Sequence, residues 1–450
     1  MEAFRLVLRL GQIAAVLGRA LASALWWSAW EGSWAPAGES LRRAFERLGP
    51  AFVKLGQFLS VRPDLVPPGA LAELERLQDA TGPLPLPEVM ALLERELDAP
   101  VGRLFAHFEA VPTASASVSQ VHRAVLHGGE AVAVKIQKPD AERSIRRDLR
   151  LVGVLLRATV GWTPLRRRVD LVSLWAEVVE ASEVELDFRR EAEAAEAMAR
   201  SFREWPGIRI PRVHWAFTTR RVLTAEFIAG TKISDVALRR RDEYAGLAEL
   251  GARAFLKQVL VDGFFHADLH PANILVTPEG EIAYLDFGIV GRLTDSERRA
   301  AVGALAGLLS GDASLAVRNL QALGIAIPSD RRSAFGSDIL ASVQHVLTSR
   351  LADVSVVGLA KALFGAARRH RVAFPRTCAL LLKGLLTIEG TARGLHPDFR
   401  FEHAIRSHFL AELRGTVSFT ALVEACWRGA ALLGFAALCA SDGESTGRSG

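Results

Sequence analysis

Two short runs of apolar residues, Ile274–Val276 and residues 282–285, predict a pair of β-strands. The segment between them contains Pro278, Glu279 and Gly280, a combination typical of a tight turn, so the two strands are expected to form a hairpin. Polar residues stand close to both ends of this hairpin. They are His266, Asp268 and Asn273 before the first strand, and Asp286, which begins the sequence Asp-Phe-Gly, after the second.

A third apolar run, Ala131–Gln137, alternates as a buried strand does and carries Lys135. A lysine on a buried strand is costly unless an anion lies beside it, and Glu191 in a later acidic helix is the expected partner. The alanine- and serine-rich segment 114–118 predicts a loop before this strand. Residues 221–228 predict another strand, with Glu226 and Ile228 at the point where the chain would enter a second lobe.

The beginning of the chain has a helical pattern. At 100° per residue, a helix over residues 4–25 has a leucine-rich side and an opposite polar side. The polar side carries Arg5, Arg9, Gln12, Arg19 and Ser23, and Trp26, Trp27, Trp30 and Trp34 follow. A cationic face next to tryptophans is typical of a helix lying on a membrane surface. Packing against the protein's own core is the alternative, and the pattern favours neither.

The C-terminal segment 416–440 is also apolar, but it contains Glu424 and Arg428. Charges are expensive in lipid, and the uncharged residues 429–441 would form a helix of about 20 Å, against about 30 Å for a bilayer core. We therefore expect an interfacial or partner-buried helix rather than a membrane span. The Ser/Gly-rich residues 442–450 predict a disordered tail.

Composition narrows the possible classes of protein. The chain has 450 residues, of which 50% are hydrophobic, and a formal net charge of +5. It contains no basic tract interleaved with aromatic residues, so nucleic acid is not an expected partner. Its three cysteines suit a reducing cytosol and are too few for a disulfide framework or a zinc cluster.

The polar residues around the hairpin have the order and spacing of a protein-kinase catalytic centre. Asn273 and Asp286 are the expected Mg²⁺ ligands, and Asp268 lies where it would accept a proton from an attacking hydroxyl or orient it. Lys135 and Glu191 complete the expected catalytic set. Residues expected to contact ATP are Ala114, Ser115, Ala116, Ser117, Val118, Lys135, Glu226 and Ile228. The alternative without chemistry is an acidic turn between two core strands.

Two features separate this chain from an ordinary protein kinase. Position 267 is alanine instead of the arginine that reads a phosphorylated activation loop. A predicted helix beginning at Asp295 follows the Asp286 motif with no long activation segment between them. Phosphorylation of other proteins is therefore not expected.

Two further motifs lie upstream: Lys54, Gly56 and Gln57 form K-x-G-Q, and Glu185 and Asp187 form E-x-D. Lysine is rare in this arginine-rich chain, which makes Lys54 notable. With the kinase-like residues, these motifs resemble the UbiB/AarF family of atypical kinase-like proteins, also called the ADCK type, over roughly residues 40–400. Three departures from the family pattern, none of which removes a catalytic group, are the loop sequence Ala-Ser-Ala-Ser, Ala194 and Ala272.

The resemblance implies a two-lobed kinase-like α+β fold with a helical N-terminal extension. It also implies Mg²⁺ and ATP binding, and slow ATP hydrolysis that supports ubiquinone or related prenylquinone biosynthesis. The K-x-G-Q and E-x-D residues would be regulatory, with Lys54 beside Glu185 and Asp187. The expected location is the cytoplasmic surface of the inner membrane, with lipids or enzymes of the prenylquinone pathway as partners.

The expected organisation has five parts: a membrane-interfacial helix, the extension, the small lobe, the large lobe and the apolar tail. Their ranges are 1–34, 35–105, 106–229, 230–415 and 416–450. A small-molecule phosphotransferase and a nucleotide-binding scaffold without turnover remain alternative functions. The sequence identifies neither the quinone nor the oligomeric state.

Overall fold

The computed structural model describes residues 2–31, 34–60, 62, 66–77, 82–159, 171–237, 244–348 and 356–400. The chain divides into two compact units. Unit 1 comprises Met1–Gly230 and Leu275–Ile289, and unit 2 comprises Thr231–Ile274 and Val290–Gly450. The predicted C-terminal helix and tail lie outside the described residues, as do the side chains of the first three tryptophans.

Helices account for most of the described elements in both units. Those of unit 1 are α1 (Glu2–Glu31), α2 (Ala35–Leu48), α3 (Pro50–Ser60), α4 (Pro68–Leu74), α5 (Leu86–Leu97), α6 (Val101–Leu104), α7 (Pro139–Thr159), α8 (Leu171–Glu185) and α9 (Phe188–Ser201). Those of unit 2 are α10 (Ile233–Ala237), α11 (Ala245–Lys257), α12 (Asp295–Ser310), α13 (Ala313–Ala322), α14 (Arg332–Thr348), α15 (Val356–His370) and α16 (Arg376–Leu395).

The strands are short and most of them belong to unit 1. In chain order they are β1 (His107–Phe108), β2 (Ala114–Ser115), β3 (Ser119–Val125), β4 (Ala131–Gln137), β5 (Ile208–Arg209), β6 (Val222–Glu226), β7 (Thr231–Lys232), β8 (Phe264–His266), β9 (Ile274–Val276), β10 (Ile282–Tyr284) and β11 (Val290–Arg292). The mixture of helices and sheets confirms the predicted α+β class.

The main sheet of unit 1 is antiparallel, with the strand order β1-β3-β4-β6 and β2 paired to the edge of β3. Val132, Val134 and Ile136 of β4 are fully buried on one face of this sheet. Because side chains alternate along a strand, Lys135 lies on the opposite face. The sheet therefore buries an aliphatic core on one side and presents a single lysine on the other.

The predicted hairpin is present as β9 and β10. Thr277 N donates to Glu281 O at 2.9 Å and Gly280 N donates to Thr277 O at 3.0 Å, which closes the turn. Strand β10 pairs in parallel with β5, and Tyr284 at its end is fully buried. The strand ends one residue earlier than its apolar pattern predicts, because Leu285 is 39% exposed.

The first helix packs against the core of unit 1 along part of its length. Ile13 is fully buried with residues of α2, α3 and α7. Arg9 lies inside the predicted polar face, yet its Nε donates to the buried carboxylate of Asp148 at 3.2 Å. Phe4, Val7 and Leu8 are exposed and, at spacings of three and four residues, form one apolar patch at the start of α1. The helix thus combines core packing with an uncovered N-terminal patch.

Unit 2 is built around a helical core to which α12–α16 contribute, with Phe335 and Ala366 fully buried at its centre. Strands β8 and β11 pair antiparallel, so that Phe265 lies opposite Gly291. The helix predicted to begin at Asp295 is α12, and Thr294 caps it in a reciprocal capping box with Glu297. Within the described ranges, no helix is both long enough and apolar enough to cross a bilayer.

Candidate active site

Lys135 forms the centre of a charged cluster in unit 1. Its Nζ donates to Glu191 Oε1 at 2.7 Å and to Oε2 at 2.9 Å, and it lies 3.5 Å from Asp286 Oδ2. Glu191 is in the first turn of α9, while Asp286 follows β10. The predicted Lys135–Glu191 pair is therefore present, and the aspartate expected to bind metal lies beside it.

The charges of this cluster determine its protonation. Burial by itself would lower the pKa of Lys135, but the negative charges of Asp286 and Glu191 outweigh burial and raise that pKa. Burial raises the pKa of Glu191 to about 7, against the opposing effect of the Lys135 ammonium. Lys135 is therefore a cation at neutral pH, placed where an anionic ligand would be stabilised.

The expected nucleotide loop is the tight turn between β2 and β3. Ala116 N donates to Ser119 O at 2.8 Å, which closes the turn around Ser117 and Val118. Val118 is buried among apolar residues, and the buried Ser117 Oγ has no hydrogen-bond partner within the described part of the chain. An unsatisfied buried hydroxyl costs free energy, and Ser117 Oγ is such a group within the turn expected to bind the nucleotide.

Lys138 holds this turn in place, a contact that the sequence did not indicate. Its side chain is buried and donates to Ala116 O at 2.7 Å, Gly82 O at 2.9 Å and Ser115 Oγ at 3.0 Å. These acceptors satisfy the three N–H donors of the ammonium. The alanine- and serine-rich turn is thus fixed by a side chain, in place of the freedom that glycines would give it.

The end of β6 carries the other two residues expected at the nucleotide. Ile228 is buried with Leu275 and Ala283 and presents an apolar surface. Glu226 accepts from Arg209 Nη2 at 2.6 Å and from Arg212 N at 3.3 Å. Its carboxylate is therefore engaged within unit 1, and so is its backbone N–H, which donates to Arg212 O at 2.8 Å.

The K-x-G-Q motif lies on α3 and meets the E-x-D segment. The ammonium of Lys54, which is 13% exposed, forms an ion pair with Glu185 at the end of α8. Asp187 instead caps α9, where its Oδ1 accepts from Arg189 N at 3.2 Å. The two carboxylates of E-x-D thus have different tasks, one toward Lys54 and one toward the helix that carries Glu191.

Gly56 of the same motif is required by packing. A Cβ at this position would lie 2.1 Å from Leu77 Cδ1 and 2.7 Å from the Phe45 ring, so both side chains would have to shift to admit it. Gln57 is half-buried one residue further along α3, and its carbonyl accepts from Ser60 Oγ at 2.8 Å. The motif therefore brings the helix close to its neighbours and directs Lys54 to Glu185.

The catalytic-loop residues belong to unit 2. Asp268 N donates to His266 Nδ1 at 3.0 Å, and Asn273 Nδ2 donates to Asp268 O at 3.4 Å. His266 is buried, while the Asp268 side chain is 30% exposed. The loop therefore holds a carboxylate open to solvent, and the Asn273 amide oxygen is available as a ligand because its nitrogen is turned inward.

Lys383 of α16 is the second residue that sequence reasoning missed. Its Nζ lies 2.8 Å from Asp268 Oδ1 within unit 2. Thr391 on the same helix donates to Leu269 O at 3.3 Å. The rarity of lysine in the sequence was the available signal for Lys383 and for Lys138.

Asp286 is the carboxylate of unit 1 that the sequence predicts to bind magnesium. Within the described residues, no three His, Cys, Asp or Glu side chains group into a complete metal cage. Mg²⁺ commonly takes one or two carboxylate or amide oxygens and completes its shell with water and substrate phosphates. Asp286 is 44% exposed and fixed by Gly288 N, which donates to Oδ1 at 2.8 Å. The Asp286 carboxylate fits the ion when it arrives with a phosphate ligand.

Comparison with protein families gives two matches that follow each other along the chain. The ABC1 atypical kinase-like domain matches residues 76–320, and the UbiB helical domain matches residues 339–400. The first contains Lys135, Asp268 and Asp286, and the second contains Lys383. The contact between Asp268 and Lys383 therefore joins the two matched domains.

Several curated proteins are similar to most of the chain. A probable protein kinase UbiB of Marinobacter nauticus is 38% identical, covering 80% of this chain and 67% of that protein. The chloroplastic protein ACTIVITY OF BC1 COMPLEX KINASE 3 of Arabidopsis thaliana is 34% identical, covering 83% and 53%. An uncharacterized Synechocystis protein is 33% identical, covering 80% and 62%. The matched part of the chain thus spans between about half and two thirds of these relatives.

Among solved structures, the Rv3197–erythromycin complex from Mycobacterium tuberculosis has a similar fold. The TM-score is 0.55 at 24% sequence identity, and the match covers 78% of this chain and 89% of that one. This likeness supports the kinase-like fold alone. The family matches and the UbiB-named relatives together show that the chain belongs to the UbiB family of ABC1-type atypical kinase-like proteins.

Proposed function

We propose that this protein is a kinase-like ATPase that binds Mg-ATP and supports biosynthesis of ubiquinone or a related prenylquinone at a membrane surface. The observation that carries the proposal is the Lys135 ammonium between Glu191 and Asp286. A cation fixed on one strand beside a partly exposed carboxylate is the arrangement that binds phosphates together with a divalent metal.

In this proposal each residue has a defined task. Lys135 neutralises phosphate charge, and Glu191 holds its ammonium in place. Asp286 and Asn273 would hold Mg²⁺, which when bound neutralises charge on the transferring phosphoryl group. Asp268 orients a water molecule and accepts its proton while the water oxygen forms a bond to phosphorus. The bond to the ADP oxygen breaks, and its electron pair remains on ADP.

Thermal unfolding with and without Mg-ATP tests the nucleotide assignment. Mg-ATP at about 100 times its Kd should stabilise the parent by about 2.7 kcal/mol. Asp286→Asn should lose the Mg²⁺-dependent part of that shift, because an amide binds the ion more weakly than a carboxylate. Asp330→Asn, which changes an exposed aspartate away from the site, is the matched control. An equal shift in Asp286→Asn and the parent would refute the assignment.

The quinone assignment is supported by the relatives named UbiB. Lipid extracts of a deletion strain should show loss of prenylquinone and accumulation of precursors. The parent gene should restore the quinone, and a gene encoding Asp286→Asn should not. Normal quinone content in the deletion strain would exclude this role.

We also propose that the exposed patch of Phe4, Val7 and Leu8 meets the membrane surface. Arg5 and Arg19 are exposed on the same helix and would face anionic head groups. Arg9 is excluded from this set because it pairs with Asp148. The patch is therefore smaller and less cationic than the sequence pattern predicts.

A further inference from the structure

Helix α16 packs against the catalytic loop, residues 266–273. Lys383 contacts Asp268, and Thr391 donates to the buried carbonyl of Leu269. Gly384 lies between them, and a Cβ there would be 3.2 Å from His266 O. Three positions of one helix thus contact three residues of the loop within unit 2.

The catalytic loop contains no lysine or arginine of its own. Position 267 is alanine and is fully buried. His270, two residues after Asp268, uses its Nδ1 to accept from Ala272 N at 3.2 Å, so its ring serves the local turn. The cation beside Asp268 therefore comes from α16.

The geometry of the ion pair leaves one carboxylate oxygen of Asp268 available to a substrate. Lys383 approaches Oδ1, and within the described residues the carboxylate has no other side-chain partner. The side chains of Lys383 and Asp268 are 24% and 30% exposed, so a substrate can still reach Oδ2. An ammonium also has three N–H donors, and this contact uses one of them.

We propose that Lys383 is a positioning residue for the reaction: it fixes the orientation of the Asp268 carboxylate and supplies the positive charge that the catalytic loop lacks. This inference rests on the proposed function for its kinetic consequence, although the support of the loop by α16 does not depend on it. A residue of the helical domain thereby becomes part of the catalytic centre of the kinase-like domain.

The test compares Lys383→Met with Lys257→Met in the full-length protein. Lys257 is the matched control, because it forms a similar ion pair with Asp262 at 2.7 Å in unit 2, outside the catalytic loop. Lys383→Met should lower kcat for ATP hydrolysis by about 10- to 100-fold, the range typical of outer-shell partners. The KM for ATP should stay within about twofold of the parent, because Lys383 is proposed to act through Asp268, whose proposed task is to orient water rather than to bind the nucleotide. Lys383→Arg should recover most of the activity.

A double-variant cycle separates positioning from an independent effect. If Lys383 acts through Asp268, adding Lys383→Met to Asp268→Asn should cause no further loss of kcat. Losses that multiply would overturn the proposal. So would a kcat in Lys383→Met equal to that of Lys257→Met.

Amide hydrogen exchange gives a readout that does not depend on turnover. Residues 264–273 should exchange faster in Lys383→Met than in either the parent or Lys257→Met. Unchanged exchange in this segment would overturn the positioning role. If the parent hydrolyses no ATP, the proposed function fails, while the exchange comparison still decides whether Lys383 holds the loop.

Discussion

Lysine side chains mark the positions in this chain where a compact charge meets a defined acceptor. Of the seven lysines among 55 basic residues, five donate to carboxylates or carbonyls within the described structure. They are Lys54, Lys135, Lys138, Lys257 and Lys383. An ammonium fits a narrow space between acceptors, whereas a guanidinium requires a wide planar one.

Lys54→Ala should change activity more than stability. Glu185 is 37% exposed, so losing its ion pair should cost about 1 kcal/mol or less in unfolding free energy. The Glu185 carboxylate, whose charge acts on Lys135, would nevertheless lose the ammonium of Lys54. We therefore expect both ATP hydrolysis and the protease resistance of residues 80–110 to change. Arg43→Ala, which removes an exposed ion pair with Glu39, is the control. Parent-like hydrolysis and protection in Lys54→Ala would mean that Lys54 is only a surface lysine.

Lys135→Met should make stability depend on Glu191 protonation. Removing one partner of a buried pair costs about 3–5 kcal/mol. The pKa of Glu191 is already raised from 4.5 to about 7, and loss of the ammonium raises it further. At a pH between the unfolded-state pKa of 4.5 and the raised folded-state pKa, Glu191 is protonated in the folded state but ionised in the unfolded state. The free energy of unfolding therefore rises as the pH falls through this range.

Thermal unfolding at pH 8 and pH 6 measures this effect. Lys135→Met should regain part of its lost stability at pH 6, relative to the parent at each pH. The double variant Lys135→Met/Glu191→Gln lacks the Glu191 carboxyl, so it should gain no stability from that group between pH 8 and pH 6. If the loss of stability in Lys135→Met, relative to the parent, is the same at pH 8 and pH 6, Glu191 is not the titrating group.

The site residues differ in how far the sequence could locate them. Asp268, Asn273 and Asp286 follow from short spacings around one hairpin, because local strands fix where their ends lie. Lys383 does not, because the contacts between α16 and the loop join residues more than 100 positions apart; Thr391 and Leu269 are separated by 122. Such pairs depend on how helices pack, and no periodic pattern encodes that.

At the scale of elements, the hydrophobic pattern predicted which helices and strands are present, but it did not predict what packs against them. The hairpin, the strand with Lys135 and the helix at Asp295 all lie where their patterns place them. The amphipathic pattern of α1 gave its faces but not what covers them, and the Arg9–Asp148 contact spans 139 residues. An apolar stripe shows that burial is favourable, without identifying the partner.

Gly384→Ala tests the close approach of α16 to the catalytic loop. The new Cβ would lie 2.8 Å from the Phe255 ring and 3.2 Å from His266 O. Overpacking of this kind costs about 1–3 kcal/mol, and we expect ATP hydrolysis to fall as the loop shifts. Gly390→Ala is the matched control on the same helix, where a Cβ meets nothing within 4 Å.

We also expect a defined change in stability for the control variant, Gly390→Ala. Alanine is favoured over glycine in a helix by up to about 1 kcal/mol, so Gly390→Ala should be as stable as the parent or more stable. Equal unfolding temperatures and equal activities in the two variants would mean that α16 has room to move at Gly384.

At the scale of the whole molecule, membrane association can be separated from folding. Replacing Phe4, Val7 and Leu8 by serine should reduce flotation with anionic liposomes while leaving thermal unfolding unchanged, because all three are exposed. Deleting residues 1–34 would also remove Ile13 from the core and is therefore a poorer test. Each nearby arginine should add about 1 kcal/mol of attraction, so flotation should also fall with salt.

Two controls complete the flotation measurement. Replacing Ala14 and Ala15, exposed residues further along α1, by serine should leave flotation unchanged. If the variant without the three apolar side chains floats as well as the parent, the membrane contact lies elsewhere in the chain.

The path of the backbone between the units limits how this protein can be recombined. Unit 1 consists of two separate stretches of sequence, Met1–Gly230 and Leu275–Ile289, and a part of unit 2 lies between them along the chain. A single crossover with a relative's gene anywhere inside residues 231–289 would give one unit strands or loops of mixed parentage. Exchanging a complete unit needs three junctions, at 230, 274 and 289. A single crossover inside residues 231–289 therefore never exchanges a complete unit, and a chimera made that way would disturb the packing inside at least one of them.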